Sequence, residues 1–201
     1  MATASTRART AAQWRGAFGA LLLSTSACGS GASQPATYGD VTLKNWRTHP
    51  RIAEIRAIYD EIQGERAQGR GTTATRRFDY DSPQCQSTYP VQATSLWRDE
   101  AGRPRAYLVD QISSHRESMR IERYYDHEGR LRFVLVNRFP GETRVYMGTE
   151  GAVLWAVIRD QGADAIEPHN RDDWETKPST AAEAKGEFEG AAECPEVKTR
   201  R

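Results

Sequence analysis

Cysteine, excess charge and catalytic motifs are all scarce in this sequence of 201 residues. Its 28 lysines and arginines nearly balance 27 aspartates and glutamates, which disfavours a general nucleic-acid binder, because such proteins need surplus cations to displace counterions from phosphates. Neither Cys85 nor Cys194 has a second cysteine or histidine at the spacing of a zinc site. The sequence also lacks a Gly-x-Ser-x-Gly turn and a calcium-binding loop. We therefore predict no catalytic centre, no metal and no cofactor.

Residues 1–27 have the three parts of a secretory signal peptide. Three arginines precede a short apolar stretch at 17–23, and small residues follow it. The next site, Thr-Ser-Ala-Cys-Gly at 25–29, resembles the lipobox of bacterial lipoproteins, with Thr25 where that family prefers leucine. The resemblance implies that Cys28 is lipidated, and Gly29 in place of a retaining aspartate implies the outer membrane. The alternative is an ordinary secreted protein with an incidental Cys28.

Composition divides the rest of the chain into three parts. Residues 28–40 are typical of a flexible tether, 41–161 of one folded domain, and 162–201 of a polar, partly disordered tail. If Cys28 carries lipid, Cys85 and Cys194 are the two thiols left in an oxidising compartment. We predict that they form a disulfide that ties the tail back to the domain.

The domain begins with a helical pattern. Pro50 fits the first position of a helix after Thr48 and His49, and apolar residues then recur at helical spacing from Ile52 to Ile62. An isolated helix of this length is marginal in water, so its apolar stripe must be buried, most simply against a sheet.

Three hairpin-like segments follow, and they resemble one another in sequence. Their turn glycines are Gly102, Gly129 and Gly151, which lie 27 (129 − 102) and 22 (151 − 129) residues apart. The central copy at 125–131 also resembles the YD repeat, whose core is Tyr-Asp-x-x-Gly-Arg-Leu, and that resemblance implies a turn and no reaction. We predict an α+β fold in which the N-terminal helix packs on a curved antiparallel β-meander of about seven strands. Because neither face of the middle hairpin is cleanly apolar, we expect one side of the sheet to face water.

Arginines crowd the middle hairpin. A possible ligand-binding face comprises Arg116, Arg120, Arg132 and Arg138, since the arginine fork matches the oxygens of a phosphate or carboxylate. Glu117 and Glu122 lie among them, so cross-strand ion pairs are the alternative.

These observations favour a lipid-anchored cell-envelope protein that acts as a non-catalytic binding or structural module. Its expected partners are the membrane, through the anchor, and an unidentified protein or glycan of the envelope. Two alternatives stay open. One is an inhibitor of a secreted hydrolase; the other is a hydrolase that uses His115 with a nearby serine, although neighbouring strand residues point to opposite faces.

Overall fold

The computed structural model describes residues 39–85, 90–112, 117–160, 162–166 and 173–197. The predicted signal peptide, most of the tether, Cys28, His115 and Arg116 lie outside these ranges. Neither helix of the described part has the length and the apolar character that a membrane span requires.

One antiparallel sheet of eight strands dominates the fold, and each strand pairs with the next along the chain. The strands are β1 (Thr72–Arg77), β2 (Val91–Arg98), β3 (Pro104–Ile112), β4 (Ser118–Tyr125), β5 (Leu131–Arg138), β6 (Gly141–Met147), β7 (Val153–Asp160) and β8 (Ala163–Ile166). The predicted antiparallel meander is confirmed, and with two helices on so large a sheet α+β describes the fold only coarsely. Against the prediction of about seven strands, the described residues form eight. The segment β8 pairs with β7 although Ile166 is its only strong strand former, so pairing rather than propensity makes it a strand.

The predicted N-terminal helix is present as α1 (Pro50–Ala67), and Pro50 stands at its start. His49 occupies the cap position without a side-chain cap bond; its Nε2 lies 3.0 Å from an Asp40 oxygen instead. The helix buries Ile52, Ile55 and Ile62 against one face of the sheet. We call this side the α1 face; its core residues include Trp97, Tyr124, Phe133, Tyr146 and Trp155.

The opposite side of the sheet, the α2 face, is also covered. A second helix, α2 (Ala181–Glu189), starts at the capping box of Thr180 and Glu183, in which each residue bonds the backbone of the other. It buries Ala181, Ala184 and Phe188 with the core residues Leu96, Tyr107, Ile121, Val134 and Val145. Each face of the sheet thus carries a buried core, which corrects the expectation that one whole side faces water. The apolar residues that alternate with the arginines of β4 and β5 have a cover, and the polar C-terminal segment supplies it.

The three similar hairpins share one geometry. Their turn glycines have φ angles of 78°, 78° and 79°, and each glycine amide donates to the carbonyl three residues earlier. In each hairpin the register shifts just beyond the turn, leaving one residue of the returning strand without a partner. These β-bulge residues are Arg105, Arg132 and Leu154, which are equivalent positions of the three copies.

The C-terminal segment ends beside the first strand. Cys85 and Cys194 lie at disulfide distance, with Cα atoms 4.4 Å apart. Beyond Cys194, the Val197 amide donates to the Arg77 carbonyl over 2.8 Å, and the Asp79 amide donates to the Pro195 carbonyl over the same distance. This segment thus covers one end of the outer edge of β1.

Candidate functional site

The two arginines at bulge positions, Arg105 and Arg132, bind carboxylates of α1 and so hold the helix on the sheet. Arg132 is 5% exposed; its Nη2 lies 3.1 Å from a Glu54 carboxylate oxygen of α1, and its Nε donates to the Met147 carbonyl over 3.1 Å. In the preceding hairpin, Arg105 is 1% exposed and reaches Glu61 of the same helix over 3.2 Å. Because its donors are used inside the fold, Arg132 is not part of an open anion-binding face.

Each of these arginines also lies close to the carboxylate of a turn aspartate. Asp126 accepts from the Arg130 amide over 2.9 Å and from the Arg130 guanidinium over 2.8 Å, and Asp99 has the same two partners in Arg103. Burial by itself raises the pKa of the Asp126 carboxyl, but the bonds from Arg130 and Arg132 outweigh burial and hold the pKa below its usual value. The two hairpin tips therefore carry ionised, fully engaged aspartates.

His127 joins the first two hairpins to α1. Its Nδ1 lies 2.8 Å from Nη1 of Arg105, and its Nε2 lies 3.2 Å from a Glu61 oxygen. Because a guanidinium can only donate, Nδ1 accepts and Nε2 carries the proton that faces Glu61. His127 thus has a place in the contacts that hold the helix.

An open groove lies on the part of the α1 face that the helix leaves uncovered. We call it the sheet groove; its volume is about 840 Å³. Its floor is a cross-strand row of polar residues over β3 to β7, namely Asp110, Arg120, Asn137, Glu142 and Arg159. Since residues directly opposite each other on neighbouring strands share a face, this row forms one continuous polar surface.

Charges in the sheet groove neutralise one another. Arg120 binds both oxygens of Asp110 over 2.6 and 3.1 Å, and this hydrogen bond is the main reason why the pKa of Arg120 is raised. Arg144 lies 2.6 Å from Glu142, and Arg159 donates to Asp164 of β8 over 3.1 Å. The groove therefore presents hydrogen-bonding groups of positive and negative charge whose electric fields largely cancel. Such a surface suits a polar ligand of low charge more than a polyanion.

A turn between β5 and β6 forms the rim of the sheet groove. Phe139 is 88% exposed there, the highest value for any large apolar side chain of the described residues. Its neighbour Arg138 is exposed and, among the described residues, has no side-chain hydrogen bond or ion pair. Phenylalanine and arginine are both enriched at protein interfaces relative to the rest of the surface.

At the edge of α1 the sheet groove adjoins a small aromatic pocket of about 160 Å³, and Arg144 lines both. Tyr59 of α1 and Phe133 of β5 have ring centroids 5.4 Å apart, and Phe133 and Tyr146 have centroids 5.0 Å apart. Burial, followed by the charge of Glu122, raises the pKa of the Tyr59 phenol. The groove thus combines a polar floor with an aromatic end.

The structure separates the arginines that the sequence grouped. Arg120 and Arg138 both line the sheet groove, Arg132 lies under α1, and Arg116 is outside the described residues. Sequence reasoning missed Phe139; the available signal was an aromatic residue followed by proline and glycine between two strands. Within the described ranges, no cluster of three or more histidine, cysteine or carboxylate side chains could hold a metal ion.

Comparison of the chain with protein-family models, with curated proteins and with solved structures gives no match.

Proposed function

We propose that this chain is an exported, lipid-anchored protein of the cell envelope that binds a partner through the sheet groove and performs no chemistry on it. The resemblance of residues 25–29 to a lipobox supports the anchor at Cys28, and Gly29 supports the outer membrane as its location. Several acyl chains on one cysteine make such attachment durable, whereas a single chain is marginal.

The exposure of Phe139 at the groove rim is the observation that carries the binding role. A ring that is 88% exposed gains little in the isolated domain, and its burial against a partner contributes about 1.5–3 kcal/mol. The floor adds hydrogen-bonding side chains such as Asn137, and Arg138 adds a cation that is unpaired within the described ranges. This surface suits a polar envelope partner, either a glycan or the surface of another protein.

A second candidate function is inhibition of a secreted hydrolase. The exposed Phe139 lies in a turn between two strands of the sheet, and an exposed loop residue of this kind could enter the cleft of an enzyme. Co-purification with an extracellular hydrolase whose activity falls on binding, and recovers with Phe139→Ala, distinguishes this role. The hydrolase alternative predicts that His115→Ala abolishes an ester- or amide-cleaving activity of the purified protein.

Cell fractionation tests the anchor. Cys28→Ser is expected to move the protein from the membrane fraction to the soluble exported fraction while leaving the fold unchanged by circular dichroism. Retention of the variant on membranes to the same extent contradicts lipid anchoring at this residue.

Affinity capture tests the groove. The mature protein is expected to co-sediment with isolated envelope glycan, or to capture a defined set of solubilised envelope proteins, and Phe139→Ala is expected to reduce that binding about tenfold or more. Val197→Ala is the matched control, because Val197 is 51% exposed and lies away from the groove. Equal capture by both variants, or no capture by the native protein, overturns the groove as the binding surface.

A further inference from the structure

A second hollow lies on the other side of the sheet, between the α2 face and the C-terminal segment. This α2 cavity has a volume of about 410 Å³, within the range of about 300–1,000 Å³ that small-molecule sites occupy. Its floor comes from β1, β2 and β3, and its outer wall from Glu187 and residues 191–194. It shares no lining residue with the sheet groove.

Thr94 on the cavity floor is the first sign of a ligand. The residue is 7% exposed, and among the residues that the structure describes its hydroxyl has no hydrogen-bond partner. A buried hydroxyl without a partner costs about 1–3 kcal/mol, so a folded protein normally pairs it. Gln111 lines the same cavity, and its side-chain amide makes no hydrogen bond within the described part of the chain.

Two further polar groups of the cavity, Tyr107 and Arg76, are already engaged within the fold. Tyr107 donates its hydroxyl to Glu187 over 3.2 Å, and burial, followed by the charge of Glu187, raises the pKa of the phenol well above its usual value. Tyr107 is thus neutral at physiological pH, and its oxygen can still accept a hydrogen bond. Arg76 donates to the carbonyls of Phe188 and Gly190 and pairs with Glu196, so it serves the outer wall.

These groups define the chemistry that the cavity recognises. Arg76 is paired with Glu196 inside the fold, so an anionic ligand finds no unmatched cation on it. Glu187 and Glu193 have no cationic partner among the described residues, and their carboxylates can accept hydrogen bonds from hydroxyl groups. An apolar ligand leaves the Thr94 hydroxyl and the Gln111 amide unpaired. A molecule with several hydroxyl groups satisfies both, because each hydroxyl donates and accepts.

We propose that the α2 cavity is a binding site for a small neutral polyhydroxylated molecule, such as a sugar or cyclic polyol, held by Thr94, Gln111 and the Tyr107 oxygen. Phe78, which is 5% exposed, and Ala191 supply its apolar contacts. Because Cys194 lies in the outer wall, the Cys85–Cys194 pair holds the site closed on that side.

Binding of defined probes to the full mature chain tests this site. Glucose and inositol serve as neutral polyols, inorganic phosphate and ethylammonium as ions, and toluene as an apolar probe. Glucose or inositol is expected to raise the Tm and to shift the NMR signals of the Thr94 methyl and the Gln111 amide. Absence of any shift with both polyols, or a shift with phosphate, ethylammonium or toluene alone, overturns the proposal.

Two variants separate ligand binding from a structural role. Thr94→Val removes the hydroxyl at nearly constant shape, so the unliganded Tm is expected to stay the same or rise, while polyol affinity falls about tenfold, as for one lost hydrogen bond. Gln111→Met is expected to weaken binding similarly. Thr75→Val is the control, because Thr75 is exposed on β1 and bonds Ser95 on the other face. A lower Tm for Thr94→Val, or unchanged affinity in both cavity variants, contradicts the assignment.

Discussion

Asp126 shows how much structure one side chain can organise at a hairpin tip. It is 5% exposed and accepts from the amides of Glu128 and Arg130 as well as from the Arg130 and Arg132 guanidinium groups. Its equivalent, Asp99, does the same for Arg103 in the preceding hairpin. Both carboxyls have pKa values below the usual range, because their hydrogen bonds and cations outweigh burial.

These shifts predict acid-sensitive stability. The unfolded pKa of each aspartate lies above the folded one, so their contribution is fully present above the unfolded value of 3.8 and is lost as the pH falls through the lower folded pKa. We expect the free energy of unfolding in urea to drop as the pH is lowered from 5 to about 2. Asp126→Asn is expected to lower stability at neutral pH by about 1–3 kcal/mol and to flatten this pH dependence.

Asp160→Asn is the control for the acid titration, since Asp160 is exposed at the end of β7. It is expected to leave both the neutral stability and the slope in acid unchanged. An Asp126→Asn profile that keeps the full slope of the native protein contradicts the role given to this carboxylate.

Arg132 belongs to two ion pairs of different worth. Its partner Asp126 is 6% exposed at the side chain, as Arg132 itself is, whereas the side chain of Glu54 is 63% exposed. Removing one partner of a buried ion pair destabilises a protein far more than removing one partner of an exposed pair. Arg132→Leu is therefore expected to destabilise the protein by about 2–4 kcal/mol, while Glu54→Gln costs less than about 1 kcal/mol.

A double-mutant cycle in urea checks this difference. The coupling energy of Arg132 with Asp126 is expected to exceed its coupling with Glu54. Leucine is chosen to replace Arg132 because Leu154 occupies the same bulge position in the third hairpin. Equal coupling energies, or an Arg132→Leu variant as stable as the native protein, contradict the view that Arg132 stabilises the turn through Asp126.

At the scale of the elements, the features that depend on nearby residues could be predicted from the sequence. Pro50 marks the start of α1, the three turn glycines take positive φ, and Thr180 with Glu183 starts α2. Each depends on local chemistry within a few residues. The bulges could not be predicted, because a bulge is a mismatch between two strands and is defined only by their pairing. For the same reason the sequence suggests that Arg132 is a surface cation, although it lies under a helix that is far away in the sequence.

The candidate site could be predicted only in part. The sequence groups Arg120 and Arg138, and both line the sheet groove, since both lie on the middle hairpin. Phe139 and the Thr94 hydroxyl were not predicted, because exposure and the absence of a hydrogen-bond partner are properties of the folded surface. The cover over the α2 face was missed for a related reason: α2 buries only Ala181, Ala184 and Phe188, which leaves its composition polar.

The capping box gives a local test of α2. The Thr180 hydroxyl accepts from the Glu183 amide over 3.2 Å, and the Glu183 carboxylate accepts from the Thr180 and Ser179 amides. Thr180→Ala removes one half of this exchange and is expected to cost about 1 kcal/mol. Hydrogen exchange of the α2 amides is expected to accelerate more than that of β4 and β5, and Thr149→Ala, in the third hairpin turn, is the control. A uniform increase over the whole sheet contradicts a local capping role.

At the scale of the whole molecule, the fold depends on a C-terminal segment that closes it over a long distance. Cys85 and Cys194 are 109 residues apart in sequence, and the segment between Thr180 and Val197 contacts the second hairpin at Arg130 and the first strand at Arg77. It covers the α2 face and walls the α2 cavity, although its few buried side chains give it little hydrophobic attachment of its own. The segment therefore needs a second constraint, which the cysteine pair supplies.

Removal of this constraint gives the last prediction. A cross-link that closes a loop of about 100 residues contributes up to about 4–5 kcal/mol on the chain-entropy model, so reduction, or Cys85→Ser with Cys194→Ser, is expected to lower the free energy of unfolding by a comparable or smaller amount. The loss is expected to be uneven. Residues 173–197 keep scattered hydrogen bonds to the sheet and the three buried side chains of α2, whereas β2 to β7 keep their full ladders. Limited proteolysis and hydrogen exchange after reduction are thus expected to show early cleavage and fast exchange beyond residue 173 with the hairpins still protected. A protein that loses protection everywhere at once, or nowhere, contradicts this role for the cysteine pair.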